Sequence, residues 1–250
     1  MKDKVDIEVW EALLNFMVGD ENKQETRTVR LFYHSIPFVL LFLFWEILAR
    51  VIHNPYILPP FSAVAVNAFS PSLAYHLGST LAFSLLGLLI ISLVGLPLGM
   101  LMHRFKKAEW AINPFFWFLL FAFGFGFVTT RIAPILISLF ELSPLTVLLH
   151  SILVPILVVA LISGYGAKLT AVRVGFLLCW AFRIGGEMTF GTTTVGLGYQ
   201  LSKCYLLHNM EMMYAIMLVM GFTGLFVDRV LKYVGNVVIG KEEIKEKEVK

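Results

Sequence analysis

Charge is scarce in this chain. Asp, Glu, Lys and Arg together make up 15% of its 250 residues, where a soluble domain carries about 25%. The run Leu81–Met102 holds no charged residue at all, and 132–163 holds almost none. Cysteine is scarcer still, with only Cys179 and Cys204, which excludes a disulfide framework. Cys179 falls in the middle of an apolar run and Cys204 in what reads as a connecting loop, so two free thiols are expected. No group of His, Cys, Asp and Glu has the spacing of a metal site, and no glycine-rich loop stands between a strand and a helix. The glycines of Thr194-Val-Gly-Leu-Gly-Tyr199 have no strand before them, so a nucleotide cradle fails on context. No cofactor, no metal and no catalytic constellation is expected. A cleavable leader is not expected either, because the first thirty residues are polar and acid-rich and lack a basic end followed by an apolar core.

What the chain has in abundance is apolar length. It is 58% hydrophobic, with a mean hydropathy of +0.79. A chain this short could not shield such surface from water, but in a bilayer no shielding is needed. About 20 apolar residues cross the hydrocarbon as a helix. That length predicts spans at Ile36–Val51, Ser79–Met102, Ala111–Val128, Leu145–Ser163, Val174–Phe190 and Met212–Leu231. The fold class is therefore all-α, a polytopic membrane protein of about six transmembrane helices. The stretch 132–163 is too long for one helix. Glu141-Leu-Ser-Pro144 supplies the break, since the residue before a proline is pushed out of helical conformation, and 132–140 reads as a re-entrant piece or the tail of the third span.

Basic residues set the orientation. With the N-terminus inside, segments 1–33, 103–110, 164–173 and 229–250 hold sixteen Lys and Arg, whereas 52–77, 129–144 and 191–211 hold only Arg131 and Lys203. The expected location is the plasma (inner) membrane, multi-pass, with both termini cytoplasmic. Three parts follow: an interfacial segment 1–33, a membrane domain 34–235 and a charged tail 236–250. In the first, Ile7, Trp10, Leu13, Leu14 and Met17 form an apolar stripe at helical spacing, suited to the membrane surface or to packing on the bundle.

Ionisable residues inside a span are costly unless paired or facing a polar interior. Arg183 and Glu187 stand four apart, on one face of a helix, and can pair. They either fix helix packing or line a path for a solute. Glu46 and Arg50 repeat the spacing in the first span, where a structural pair is the simpler reading. His150 is alone on an apolar helix and reads as a satisfied structural histidine. Gly95, Pro97 and Gly99 allow a bend or a close helix approach.

Several segments also resemble a known family. Phe44-Trp-Glu-Ile-Leu-Ala-Arg50 followed by Ile57-Leu-Pro-Pro-Phe-Ser-Ala-Val64 resembles the opening of permease subunits of binding-protein-dependent ABC importers, in the nitrate/sulfonate/taurine-type branch. His76-Leu-Gly-Ser-Thr80, Val94-Gly-Leu-Pro-Leu-Gly99, Asn113-Pro114, Val154-Pro-Ile-Leu157, Glu187-Met188 and Gly196-Leu-Gly-Tyr199 follow in that family's order. The likeness covers roughly residues 40–235. It implies a transmembrane subunit that forms part of a translocation path, with membrane lipid, an ABC ATPase subunit, a solute-binding protein and a second permease subunit as partners, and no nucleic acid. ATP hydrolysis would reside in the ATPase subunit. The path residues it points to are Arg183, Glu187, Gly196, Gly198 and Tyr199. The solute implied is a small anion or a small heterocycle.

Two departures stand out. Family members carry a cytoplasmic loop of some 25–30 residues between the fourth and fifth spans, whose short helix docks on the ATPase. Here Ser163-Gly-Tyr-Gly-Ala-Lys168 runs straight into Leu169-Thr-Ala-Val-Arg173. The proline pair usual in the third span is replaced by Phe121-Ala-Phe-Gly-Phe-Gly-Phe127. A motor without differential contact to the two states shifts neither, so degenerate coupling is expected. Coupling would then come from a paired intact permease or from another docking surface, for which Trp10, Leu13, Arg104, Lys106, Lys107 and Lys168 are the candidates. The alternative is a non-transporting scaffold or sensor built on the permease fold.

Overall fold

The computed structural model describes residues 27–122, 133–141, 143–190 and 195–248, and every described element is a helix, turn or loop. The chain divides into two compact units, residues 1–51 and 52–250. Of the first, helix α1 (Arg27–Ile52) is described; it runs through Pro37 and exposes most of its large apolar side chains. Trp10 and Leu13, with the rest of the predicted amphipathic stripe, lie outside the described residues.

The second unit holds α2 (Phe61–Ala68), α3 (Pro71–Arg104), α4 (Lys106–Ala122), α5 (Ala133–Phe140), α6 (Pro144–Gly164), α7 (Lys168–Phe190), α8 (Leu197–Leu206) and α9 (Met210–Glu248). Two of these helices start with the same device. Ser70 and Ser143 each accept a hydrogen bond from the backbone N–H three residues on, at 3.4 Å, and each is followed by proline at the first helical position. Serine satisfies a free N–H there, and proline has no N–H to satisfy.

Among the described residues, five helices are long and apolar enough to cross a membrane: Ser35–Ile52, Pro71–Arg104, Pro144–Gly164, Lys168–Phe190 and Met210–Val237. They correspond to five of the six expected spans. The remaining one, Ala111–Val128, begins inside α4 and continues into residues outside the description. α3 is much longer than its predicted span: 34 residues at 1.5 Å each give about 51 Å, more than the hydrocarbon needs. Ala133–Phe140 forms a short helix, α5, separated from α6 at the predicted break before Pro144; residues 123–132, on which the choice between a re-entrant piece and the tail of the third span falls, lie outside the described residues. Cys204, expected in a loop, sits instead in α8 and is buried.

α6 lies at the centre of this unit. Of its most apolar stretch 61% is buried, against 17% for α9, which keeps one face free for lipid. α3, α6 and α7 pack on one another most extensively. Glycine explains the closeness. A Cβ at Gly95 would come within 2.8 Å of Val159, and one at Gly99 would overlap Ser163 Oγ and the Ala160 carbonyl; at Gly175 it would lie 2.6 Å from Val159. Gly95 and Gly99 are the small-xxx-small pair that lets two membrane helices approach by backbone. The helix continues through Pro97, and the contacts at Gly95 and Gly99 show the close approach. Around these contacts Ile91, Ile152, Val159 and Cys179 form one apolar cluster, and Leu88, Phe176, Trp180, Leu197 and Ile216 form another.

Three residues connect α6 to α7. Gly166, at φ +87°, turns the chain, and its N–H bonds to the Ser163 carbonyl at 2.9 Å. A left-handed residue favours glycine because a Cβ would crowd the backbone. No helix projects from this connection.

Candidate functional site

The most polar buried point of the second unit is where α3, α7 and the start of α8 meet. Arg183 and Glu187 lie one turn apart on α7, as the spacing requires, and Arg183 Nε donates to Glu187 Oε1 at 2.8 Å. Both side chains are 0% exposed. The carboxylate also accepts the Thr80 hydroxyl, at 2.9 and 3.1 Å to its two oxygens, and the Gly198 N–H at 3.0 Å. Arg183 Nη1 donates to the Pro144 carbonyl at 3.4 Å, and the guanidinium carbon lies 4.4 Å from the centre of the Phe83 ring. Cation–π attraction of this kind strengthens when the cation is desolvated. Arg183 Nη2 meets no hydrogen-bond partner among the described residues.

The start of α8 depends on this cluster. The first N–H groups of any helix lack intrahelical partners, and here the first three are taken by side chains from other helices. Gly196 N–H bonds to His76 Nδ1 at 3.0 Å, Leu197 N–H to Thr80 Oγ1 at 2.8 Å, and Gly198 N–H to Glu187. Thr80 therefore accepts from α8 while donating to Glu187. His76 accepts through Nδ1, which places the hydrogen of the neutral ring on Nε2. A carboxylate at a helix N-terminus is also favoured by the helix dipole.

Both glycines are needed where they stand. Gly196 has φ +146°, and a Cβ there would lie 2.5 Å from the Glu187 carboxyl; one at Gly198 would overlap the Ile184 carbonyl. Four of the five expected path residues, Arg183, Glu187, Gly196 and Gly198, thus form one buried cluster. Tyr199 borders it, half-buried, with its ring centre 6.5 Å from that of His76. Sequence reasoning missed the partners supplied by α3. The available signal was the four-residue spacing of His76 and Thr80, which puts both on one helix face.

It also missed a second link. Arg173 of α7 holds Asp228 of α9 with two hydrogen bonds, Nε to Oδ1 at 2.7 Å and Nη2 to Oδ2 at 2.9 Å, the paired geometry that suits a guanidinium and a carboxylate. Asp228 closes a long apolar run, just before Arg229 and Lys232, which was its signal. Nearby a Cβ at Gly235 would overlap Leu169, so α9 lies tightly along the start of α7.

His150 is buried between the edges of Phe182 and Phe190, at 5.7 and 5.1 Å between ring centres. Aromatic packing surrounds it, and the polar group it meets is the Phe182 backbone. Cys204 lies outside the long apolar helices; burial raises its thiol pKa, against the opposing charge of Lys203. No group of three metal-ligating side chains occurs among the described residues. Of the expected docking residues, Arg104, Lys106, Lys107 and Lys168 are all exposed at the end of the unit where α3 meets α4 and α6 meets α7.

Comparison with known proteins agrees with this architecture. No family model matches the chain. A protein of Methanocaldococcus jannaschii with a provisional name as an ABC transporter permease is 27% identical over 236 residues, covering 80% of this chain and 88% of its own length. A formylaminopyrimidine transport permease protein of Halalkalibacterium halodurans is 36% identical over 80 residues, about a third of each chain. With the apolar helices, these similarities support a multi-pass membrane protein and a membrane subunit of the ABC transporter type.

Proposed function

We propose that this chain is the transmembrane subunit of an ABC-type importer, forming part of the solute path and paired with a second permease subunit in the plasma membrane. The similarity to the archaeal permease across four-fifths of the chain is the observation that carries this reading. The sixteen basic residues of the expected inner segments support a cytoplasmic position for both termini and the α6–α7 turn. The path residues act at one remove: Arg183, Glu187, Gly196 and Gly198, closed off inside the unit, hold α8 in position, and half-buried Tyr199 belongs to the surface they position. The solute class follows the second relative's name, which specifies a formylaminopyrimidine for that protein; a small heterocycle delivered by a solute-binding protein suits both that and the family branch.

Coupling through the α6–α7 connection is degenerate in this reading. Two observations support it. The connection has three residues and no helix to dock. Moreover, four-fifths of 250 residues is about 200, so roughly 36 of the 236 aligned positions face no residue of this chain, a deficit on the scale of one docking loop. The same turn favours a second reading, a scaffold or sensor that keeps the permease fold without transport.

The chain purified in mild detergent after co-expression with the ATPase and binding-protein subunits of its transporter separates the two. Retention of the ATPase and ATP-dependent uptake in vesicles are expected. A chain that never retains the ATPase, under conditions in which a permease with the full loop does, is the scaffold.

A further inference from the structure

Where α3 ends and α4 begins, the chain turns a corner that presents Arg104, Phe105, Lys106, Lys107 and Trp110, all exposed; Phe105 is 52% and Trp110 72% accessible. The three-residue turn between α6 and α7 lies against this corner and adds Tyr165, and the first residue of α7 adds Lys168, both exposed. The only carboxylate within the corner's sequence is Glu109, which is half-buried. Four exposed cations and three exposed aromatic rings therefore share one end of the bundle, with the Arg104 guanidinium lying 5.8 Å from the centre of the Phe105 ring.

This end is braced. His103 Nδ1 lies 3.1 Å from the Gly164 carbonyl, at the last residue of α6, and Asn113 Nδ2 donates to the Tyr165 hydroxyl at 3.4 Å. Directly behind, Gly99 of α3 packs against the Ser163 side chain and the backbone of Ala160 and Gly164 in α6, and Ser163 Oγ donates to the Gly95 carbonyl at 3.4 Å. A push on the corner is thus delivered to α6 and, through the short turn, to α7, the helix that carries Arg183 and Glu187.

We infer that this basic and aromatic corner, Arg104–Trp110 with Tyr165 and Lys168, is the docking surface for an acidic face of the ATPase subunit, taking the place of the missing projecting helix. The inference rests on the importer reading above. Charge complementarity supplies the attraction: exposed cations opposite carboxylates speed and orient association. The aromatic side chains supply the desolvated contact that carries most interface energy. The brace makes the contact a lever on the α6–α7 pair rather than a tether.

The test uses the full chain co-expressed with its ATPase and purified in mild detergent. The variant Arg104→Glu/Lys106→Glu/Lys107→Glu reverses the corner, and Lys203→Glu reverses an exposed cation on α8 as the control. The expected result is at least a tenfold loss of retained ATPase for the triple variant, with wild-type retention for the control and unchanged melting for both. Trp110→Ala, which leaves the charge alone, is expected to lose retention as well. Wild-type retention by the triple variant overturns this inference while leaving the importer reading intact; failure of the wild-type chain to retain the ATPase overturns the importer reading itself. Nanodiscs containing phosphatidylglycerol decide the remaining outcome. If the triple variant changes only its preference for anionic lipid and retains the ATPase, the corner is a lipid anchor and the docking assignment falls.

Discussion

Glu46–Arg50 in α1 and Arg183–Glu187 in α7 are the same motif by sequence, two opposite charges four residues apart on an apolar helix. Their surroundings make them different objects. The Arg50 side chain is 71% exposed, and its pair consists of two hydrogen bonds to a single carboxylate oxygen of Glu46. The α7 pair is 0% exposed, and its carboxylate serves two further donors, the Thr80 hydroxyl of α3 and the Gly198 N–H of α8. An exposed helical pair contributes about 0.2–0.5 kcal/mol. A buried pair gains little over an apolar substitute, yet breaking it by removing one partner costs about 3–5 kcal/mol, because the other charge is left uncompensated. The difference teaches that such a pair is informative through what else it holds. In α7 it holds the start of another helix.

The sharpest way to break the comparison is Glu187→Ala. It strands Arg183 and frees the Gly198 N–H and the Thr80 hydroxyl, so a loss of about 3–5 kcal/mol is expected, read as the shift in a detergent unfolding titration. Glu187→Gln keeps an acceptor for Gly198 but not the charge, and is expected to recover only a minor part. If Glu187→Ala melts like the parent, the cluster is not a structural clamp. Gly196→Ala comes next. At φ +146° with the Glu187 carboxyl in the way, it combines an unfavourable backbone with overlap, and a cost of about 1–3 kcal/mol is expected; a larger loss of uptake than of stability would place the α8 start at the path.

Asp228→Ala supplies an intermediate case. The Arg173–Asp228 pair is partly buried, with side chains 20% and 33% exposed, so about 1–2 kcal/mol is expected, measured by the same titration and by freer motion of spin labels placed across α7 and α9. Arg50→Ala should be the smallest, under about 0.5 kcal/mol and weaker still at high salt. A loss as large as that of Glu187→Ala would mean that the exposed pair is covered by a partner subunit. Chemical labelling adds a probe without mutation: the buried thiols Cys179 and Cys204 should react with maleimide at least tenfold more slowly than in the denatured chain.

How much of this was legible beforehand depends on the length scale. The helices were, because 18 or more apolar residues in a row have one stable solution in lipid, with every backbone group bonded internally. Gly95 and Gly99 were recognisable as a close-approach pair, since small residues four apart leave a groove wherever they occur. The Arg183–Glu187 pairing was also legible, being local to one helix. Thr80 and His76 were not assigned to it, for they are 107 and 120 residues distant from the groups they bond, and hydroxyl or imidazole on an apolar helix carries no mark of its partner. Cys204 was misplaced for a related reason: α8 is short and mixed in polarity, so no periodicity marked it as helix.

By itself the sequence determined that this chain threads a membrane several times, which ends of its helices carry the positive charge, and that the fourth and fifth predicted spans are joined by almost nothing. Composition and spacing decide those properties because they follow from hydrocarbon thickness, desolvation and chain length. Only the tertiary structure decided that Glu187 closes the N-terminus of α8 with help from α3, and that the corner at Arg104–Trp110 is braced on the α6–α7 turn. Both depend on which helix faces borrow one another's hydrogen-bonding groups, a choice that packing makes after every helix has already formed.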